Sequence, residues 1–165
     1  MTYSMFTTVW GVFGYVADGK RLVATFLPAS EAAIRRAIRR QYPDAVEARD
    51  SLPAFREQVV QYFAGAPTRF SVEVDLSGMP PFRRRVLQAC RRIGCGKTAS
   101  YADLARAVGK PGAARAVGGA MARNPLPLVI PCHRVLRTDG SIGGFSGPEG
   151  VAQKKRMLVL EGVIP

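Results

Sequence analysis

Histidine is nearly absent from the sequence: one residue, His133, in 165. Cysteine is scarce, with Cys90, Cys95 and Cys132 in no repeating spacing. An odd number of thiols without a Cys-x-x-Cys pair is not a disulfide framework and suits a reducing compartment. One imidazole beside so few thiols argues against a structural zinc site, and no metal is expected. No apolar run approaches the roughly 18 residues of a membrane-spanning helix, and no charged-then-apolar leader opens the chain. The expectation is a cytoplasmic protein without a membrane partner. Acidic residues are few, 12 against 24 Lys and Arg, for a net charge of +12 and a pI near 10.5. That excess of base points to a polyanionic partner, with nucleic acid the first candidate.

Apolar residues make up 47% of the chain, which excludes wholesale disorder and supplies a core. The base is uneven. Residues 1–70 carry 9 basic and 6 acidic side chains, and residues 71–165 carry 15 and 6. The second half is therefore the expected anion-binding half.

Residues 3–27 read as strands, with Asp18-Gly19 as a hairpin turn and Pro28 as the stop. Ser30 caps a helix running to about Tyr42, with Ile34, Ala37 and Ile38 on one face and Arg35, Arg36, Arg39 and Arg40 on the other. A second helix spans about Leu52 to Phe63, and Ser71–Leu76 alternates as a strand would. Residues 1–78 show no catalytic constellation and read as a small α+β scaffold, with Ser77-Gly78-Met79-Pro80 at the boundary.

Residues 79–165 read as mostly helical. Pro81 opens a helix with an apolar stripe of Phe82, Val86, Ala89, Cys90 and Ile93. Ser100 and Asp103 form a capping-box-like start, with Tyr101 in the first turn and Gly109 as the stop. A third helix opens at Pro111. Ala113, Ala116, Val117 and Ala120 make its buried face, and Arg115, Gly118, Gly119 and Ala122 the other. Two adjacent glycines cost a helix about 1 kcal/mol each relative to alanine, so close approach by another backbone is expected there. Helix, short connection, helix, short turn, helix is a helix-turn-helix pattern. So thin a last helix suits the minor groove of DNA.

The chemistry gathers at Asn124–Val135, where the only histidine follows Cys132. Thiol and imidazole together can form an activated nucleophile. Taken alone, Cys132 reads as a buried hydrophobe, at the end of a rigid extended run holding three prolines. Neighbours in an extended chain point to opposite faces, so His133 needs a local twist or a bridging water to reach its sulfur. Ile142–Gly150 is a glycine-rich loop. A final helix runs from Val151 to Glu161, with Lys154, Lys155 and Arg156 on one turn.

Ile130-Pro131-Cys132-His133-Arg134-Val135, preceded by Ala114–Ala120 and Asn124-Pro125 and followed by Leu160-Glu161-Gly162, resembles the signature set of the O6-alkylguanine-DNA alkyltransferases. The resemblance covers about residues 80–162. It implies an α+β chain, with a ribonuclease-H-like N-terminal domain and a winged helix-turn-helix-like C-terminal one. It implies cofactor-free, single-turnover repair of double-stranded DNA, with the alkyl group of O6-alkylguanine (and O4-alkylthymine as a further candidate) moved to Cys132. The implied protein is a monomer in solution, with cooperativity on DNA left open.

By the same resemblance, His133 deprotonates Cys132 through a water, Glu161 polarises His133, and Asn124 braces the turn before the nucleophile. Arg115 enters the duplex in place of the flipped nucleotide, and Tyr101 turns the target phosphate and donates to the base. Ala114, Gly118, Gly119 and Ala122 form the rest of the DNA-facing surface. The backbone of Cys132 and Val135 reads the guanine edge, Phe145 stacks on it, and Ser146 donates at the O6 side. Phe145 and Gly94-Cys95-Gly96 depart from the family's commoner residues. A cysteine hydrolase would leave the helix-turn-helix and the basic half unexplained. A lesion-sensing or regulatory DNA binder would leave Cys132, His133 and Glu161 without a role.

Overall fold

The computed structural model describes residues 1–165 and divides into two compact units, Met1–Asp75 and Leu76–Pro165. The first is a five-stranded sheet with a helix on each face. Its strands are β1 (Thr2–Thr8), β2 (Gly11–Asp18), β3 (Arg21–Ala29), β4 (Val46–Glu47) and β5 (Glu73–Val74), in the order β4-β1-β2-β3-β5. The central three are antiparallel, and the two-residue edge strands pair parallel to them.

Both faces of β2 are covered, so Phe13–Ala17 are all buried rather than alternating. Helix α1 (Glu31–Gln41) presses Ile34 and Ile38 onto Tyr3, Val16 and Ala24. Helix α2 (Pro53–Phe63) belongs to an aromatic cluster in which Phe13 and Tyr15 meet Phe55, and Phe13 meets Phe63. Gly14 lets α1 come close: a Cβ there would lie 2.5 Å from Ile34 Cγ2 and 3.2 Å from Ile38 Cδ1.

Three expectations for this unit change. The first apolar run is two strands, because Thr8 builds a tight turn at Val9-Trp10. Its hydroxyl accepts from Trp10 N–H and donates to Gly11 O, and Gly11 takes a positive φ of 122°. Pro28 lies inside β3 instead of ending it. Beyond Leu22 the far side of β3 has no partner strand, so proline costs no ladder bond. The alternating Ser71–Leu76 yields only the two residues of β5.

The second unit holds α3 (Pro81–Arg91), α4 (Tyr101–Ala107), α5 (Ala114–Ala122) and α6 (Val151–Leu160). A small parallel pair joins β6 (Ala99–Ser100) to β7 (Val135–Leu136). Ser100 and Asp103 close a reciprocal capping box at the head of α4. Helix α5 starts at Ala114, because Pro111-Gly112 is spent on the turn from α4. Its buried residues are Val117, Ala120 and Met121; Ala116, expected inside, is exposed, and Ala113 is half-buried. No helix is long and apolar enough to cross a membrane.

Gly14→Val should overpack the α1 interface and lower the first unit's unfolding free energy by about 1–3 kcal/mol in urea titration.

Candidate active site

The run before Cys132 is folded, not extended. Leu128 takes a positive φ of 79°, and Ile130 N–H donates to Leu126 O at 2.8 Å. Proline at 125, 127 and 131 leaves few donors for a sheet, so the segment closes on itself. Asn124 holds that closure from inside. Its amide donates to Ile130 O at 2.8 Å and its side-chain oxygen accepts from Leu126 N–H at 3.0 Å. Cys132–Arg134 then form one 3-10 turn. Successive residues on such a turn are about 120° apart, which supplies the twist that an extended chain lacks.

The turn delivers two of its three buried side chains to one network. His133 is fully buried, and its Nε2 lies 2.7 Å from Glu161 Oε1. Arg134 grips the same carboxylate: Nε lies 2.9 Å from Oε2 and Nη2 2.8 Å from Oε1, while Nη1 donates to Ile93 O at 2.6 Å. Glu161 is the C-cap of α6, and its side chain is 1% exposed. Burial pushes its carboxyl pKa up, but the hydrogen bonds and charges of His133 and Arg134 win and hold it at about 2. Glu161 is thus an acceptor at any working pH. The His133 nitrogen facing it must carry the proton, which makes Nδ1 the basic nitrogen. Burial holds the His133 pKa below its ordinary value, so the resting ring is neutral.

Cys132 is 6% exposed and lines a cleft of about 880 Å³. Burial raises its thiol pKa, while a hydrogen bond from the Asn124 side chain, the Lys154 charge and nearby backbone N–H groups pull it back. The cleft's walls include Tyr101, the α5 residues Ala114, Arg115, Gly118 and Ala122, and the loop residues Phe145 and Ser146. The residues expected to face DNA or the base thus meet around one space with Cys132, with two exceptions, while Asn124, His133 and Glu161 lie behind it and do not line it. Gly119 sits on the other flank of α5, and the buried Val135 is not a wall. The close approach at the paired glycines is also by side chains: Tyr101 lies over Gly118 and Arg123 over Gly119.

Two functional candidates escaped the sequence reading. Lys154, placed there on a charged turn, is fully buried. Its ammonium donates to Val135 O at 2.7 Å and to Gly144 O at 3.4 Å, tying the glycine-rich loop to the turn that bears the thiol. Burial lowers its pKa to about 8. The signal was present, since Lys154 shares a helical face with Met157 and Leu158. Arg134 was read only as part of a motif; its burial beside the last acidic residue of the chain marks it as that residue's partner.

The family model described as "6-O-methylguanine DNA methyltransferase, DNA binding domain" matches residues 81–163. The methylated-DNA–protein-cysteine methyltransferase of Mycolicibacterium paratuberculosis is 47% identical over 105 residues, which cover 64% of this chain and 62% of that protein's own length. The match thus spans less than two thirds of that relative. Mycobacterium tuberculosis OGT in complex with DNA superposes with a TM-score of 0.83 at 32% identity, covering 98% of this chain and 92% of that one. The O6-methylguanine-DNA methyltransferase of Pyrococcus kodakaraensis KOD1 gives a TM-score of 0.75 at 29% identity, over 98% of this chain and all of that one (100%).

Because the chain has one histidine, its tautomer is directly readable. Long-range ¹H–¹⁵N correlation at pH 7 should show a neutral ring protonated at Nε2, titrating only below the usual histidine range. Arg134→Met should leave a buried carboxylate short of a partner and cost about 3–5 kcal/mol in chemical unfolding. In the parent protein the stability from Glu161 is present above the ordinary carboxylate pKa. It should be lost as pH falls toward about 2.

Proposed function

Since the chain belongs to the 6-O-methylguanine DNA methyltransferase family, we propose that it repairs DNA by moving an alkyl group from O6-alkylguanine to Cys132, once per molecule. The observation that carries this reading is a buried thiol on the wall of a cleft whose rim is helix α5 with Arg115. A target atom inside a duplex cannot reach such a thiol. The nucleotide must leave the stack, at a cost of a few kcal/mol, and a side chain must fill its place. Arg115 is exposed on an α5 surface otherwise made of glycine and alanine, which suits insertion from the minor groove.

In the proposed reaction the sulfur attacks the alkyl carbon. A sulfur–carbon bond forms, the carbon–O6 bond breaks, and guanine leaves with the electron pair. The thiol proton passes through a water to Nδ1 of His133, and Glu161 stabilises the imidazolium through Nε2–H. That carboxylate is held ready by Arg134. Burial raises the Tyr101 pKa and keeps its hydroxyl protonated, so it can donate toward the departing base. The net change exchanges S–H and O-alkyl for S-alkyl and protonated base. The thioether has no group nearby to reverse it, and the protein is consumed. Lys154, by fixing the loop around Phe145 and Ser146, positions the wall against which the base would rest.

Intact-protein mass after exposure to excess O6-methylguanine duplex should rise by one methyl and stop, with the methyl on Cys132. Duplex binding with no mass change would instead favour a lesion-sensing protein. Cys132→Ser should abolish transfer while leaving duplex affinity within about threefold. Arg115→Ala should slow repair of duplex at least about tenfold, the loss of roughly 1.4 kcal/mol of transition-state stabilisation, and barely affect reaction with a free base analogue.

A further inference from the structure

Helix α5 has two flanks, and only one borders the cleft. The other faces a second groove of about 560 Å³ between α5 and the start of α3. Its floor is Phe82, Ala116, Gly119 and Ala120, and its charged walls are Arg83, Arg115 and Arg123. No acidic residue lines it. None of the three arginines takes part in an ion pair, although Arg21, Arg35, Arg56, Arg106, Arg134 and Arg156 all do. Arg115 borders both spaces and forms the ridge between them.

We propose that this groove holds backbone phosphates of the DNA strand opposite the lesion. The inference rests on the repair reading for its orientation. A helix in the minor groove, itself about 6 Å wide in unbound B-DNA, lies between the two sugar-phosphate backbones. If the cleft flank receives a nucleotide from the damaged strand, the far flank faces the complementary strand. Glycine at 119 serves this arrangement. A Cβ there would sit 3.4 Å from Arg123 Nη2, so the guanidinium lies against the helix backbone beside the groove. The apolar floor lowers the local dielectric and strengthens guanidinium–phosphate attraction. Guanidinium can meet phosphate through two parallel hydrogen bonds, a geometry that lysine lacks.

The test compares the parent protein with R83A/R123A and R83K/R123K on an undamaged duplex across a salt series. Each phosphate contact contributes about 0.9 to the slope of log affinity against log salt, so the alanine pair should reduce that slope by about 1.8. The lysine pair should keep most of it, which separates lost charge from lost folding. Methylphosphonate linkages in a duplex carrying one O6-methylguanine, bound with Cys132→Ser added to each protein so that no transfer occurs, then assign the strand. Placed in the complementary strand, they should weaken the parent protein several-fold and leave R83A/R123A unaffected. Placed in the damaged strand, they should weaken both. An unchanged slope in the alanine pair, or a parent protein indifferent to complementary-strand neutralisation, overturns the proposal. Binding is read without transfer, so failure of Cys132 to gain a methyl would sink the repair reading alone. A parent protein that binds no duplex at all would sink both.

Discussion

The carboxylate of Glu161 is the point on which the site depends. One buried anion accepts from His133 and from two nitrogens of Arg134. Desolvating any of these groups alone is expensive, and only their mutual pairing makes the burial tolerable. The pairing sets a chain of consequences. It fixes the carboxylate as charged, which fixes the histidine tautomer, which leaves Nδ1 as the basic nitrogen that the proposed reaction uses for the thiol proton. It also pins the end of α6 to the 3-10 turn and, through Arg134 and Ile93, to the end of α3. On the proposed reading, catalytic chemistry and the unit's tertiary closure share one interaction.

Lys154 plays the same part at the other end of α6. Its ammonium bridges two carbonyls that belong to the end of the Cys132 turn and to the glycine-rich loop. A loop with so many glycines has little rigidity of its own, so the wall it forms is only as well placed as that bridge. Helix α6 is thus a strut with a charged anchor at each end.

Much of this was legible in the sequence where local chemistry decides the outcome. The capping box at Ser100, the helix opening at Pro81 and the stop at Gly109 follow from side chains acting on their own backbone. Composition and motif order marked Cys132, His133 and Glu161. Tertiary context hid the rest. Nothing local says that Lys154 is buried while Lys155, one residue on, is exposed; only the partner carbonyls decide it. The proline-rich run before Cys132 looks extended by propensity, but Asn124 bonds it into a turn. Pro28 sits in a strand because of what fails to pair beside it.

The surface of α5 has a further consequence for the search along DNA. Glycine and alanine have almost no rotamer freedom to lose on contact, so docking this face costs little conformational entropy. They also carry no side-chain donors or acceptors to match against base edges. On the proposed reading, every stretch of duplex looks alike to the helix. Discrimination is deferred to the moment a nucleotide enters the cleft, and what is tested there is how readily the base leaves its stack and whether it fits against the thiol.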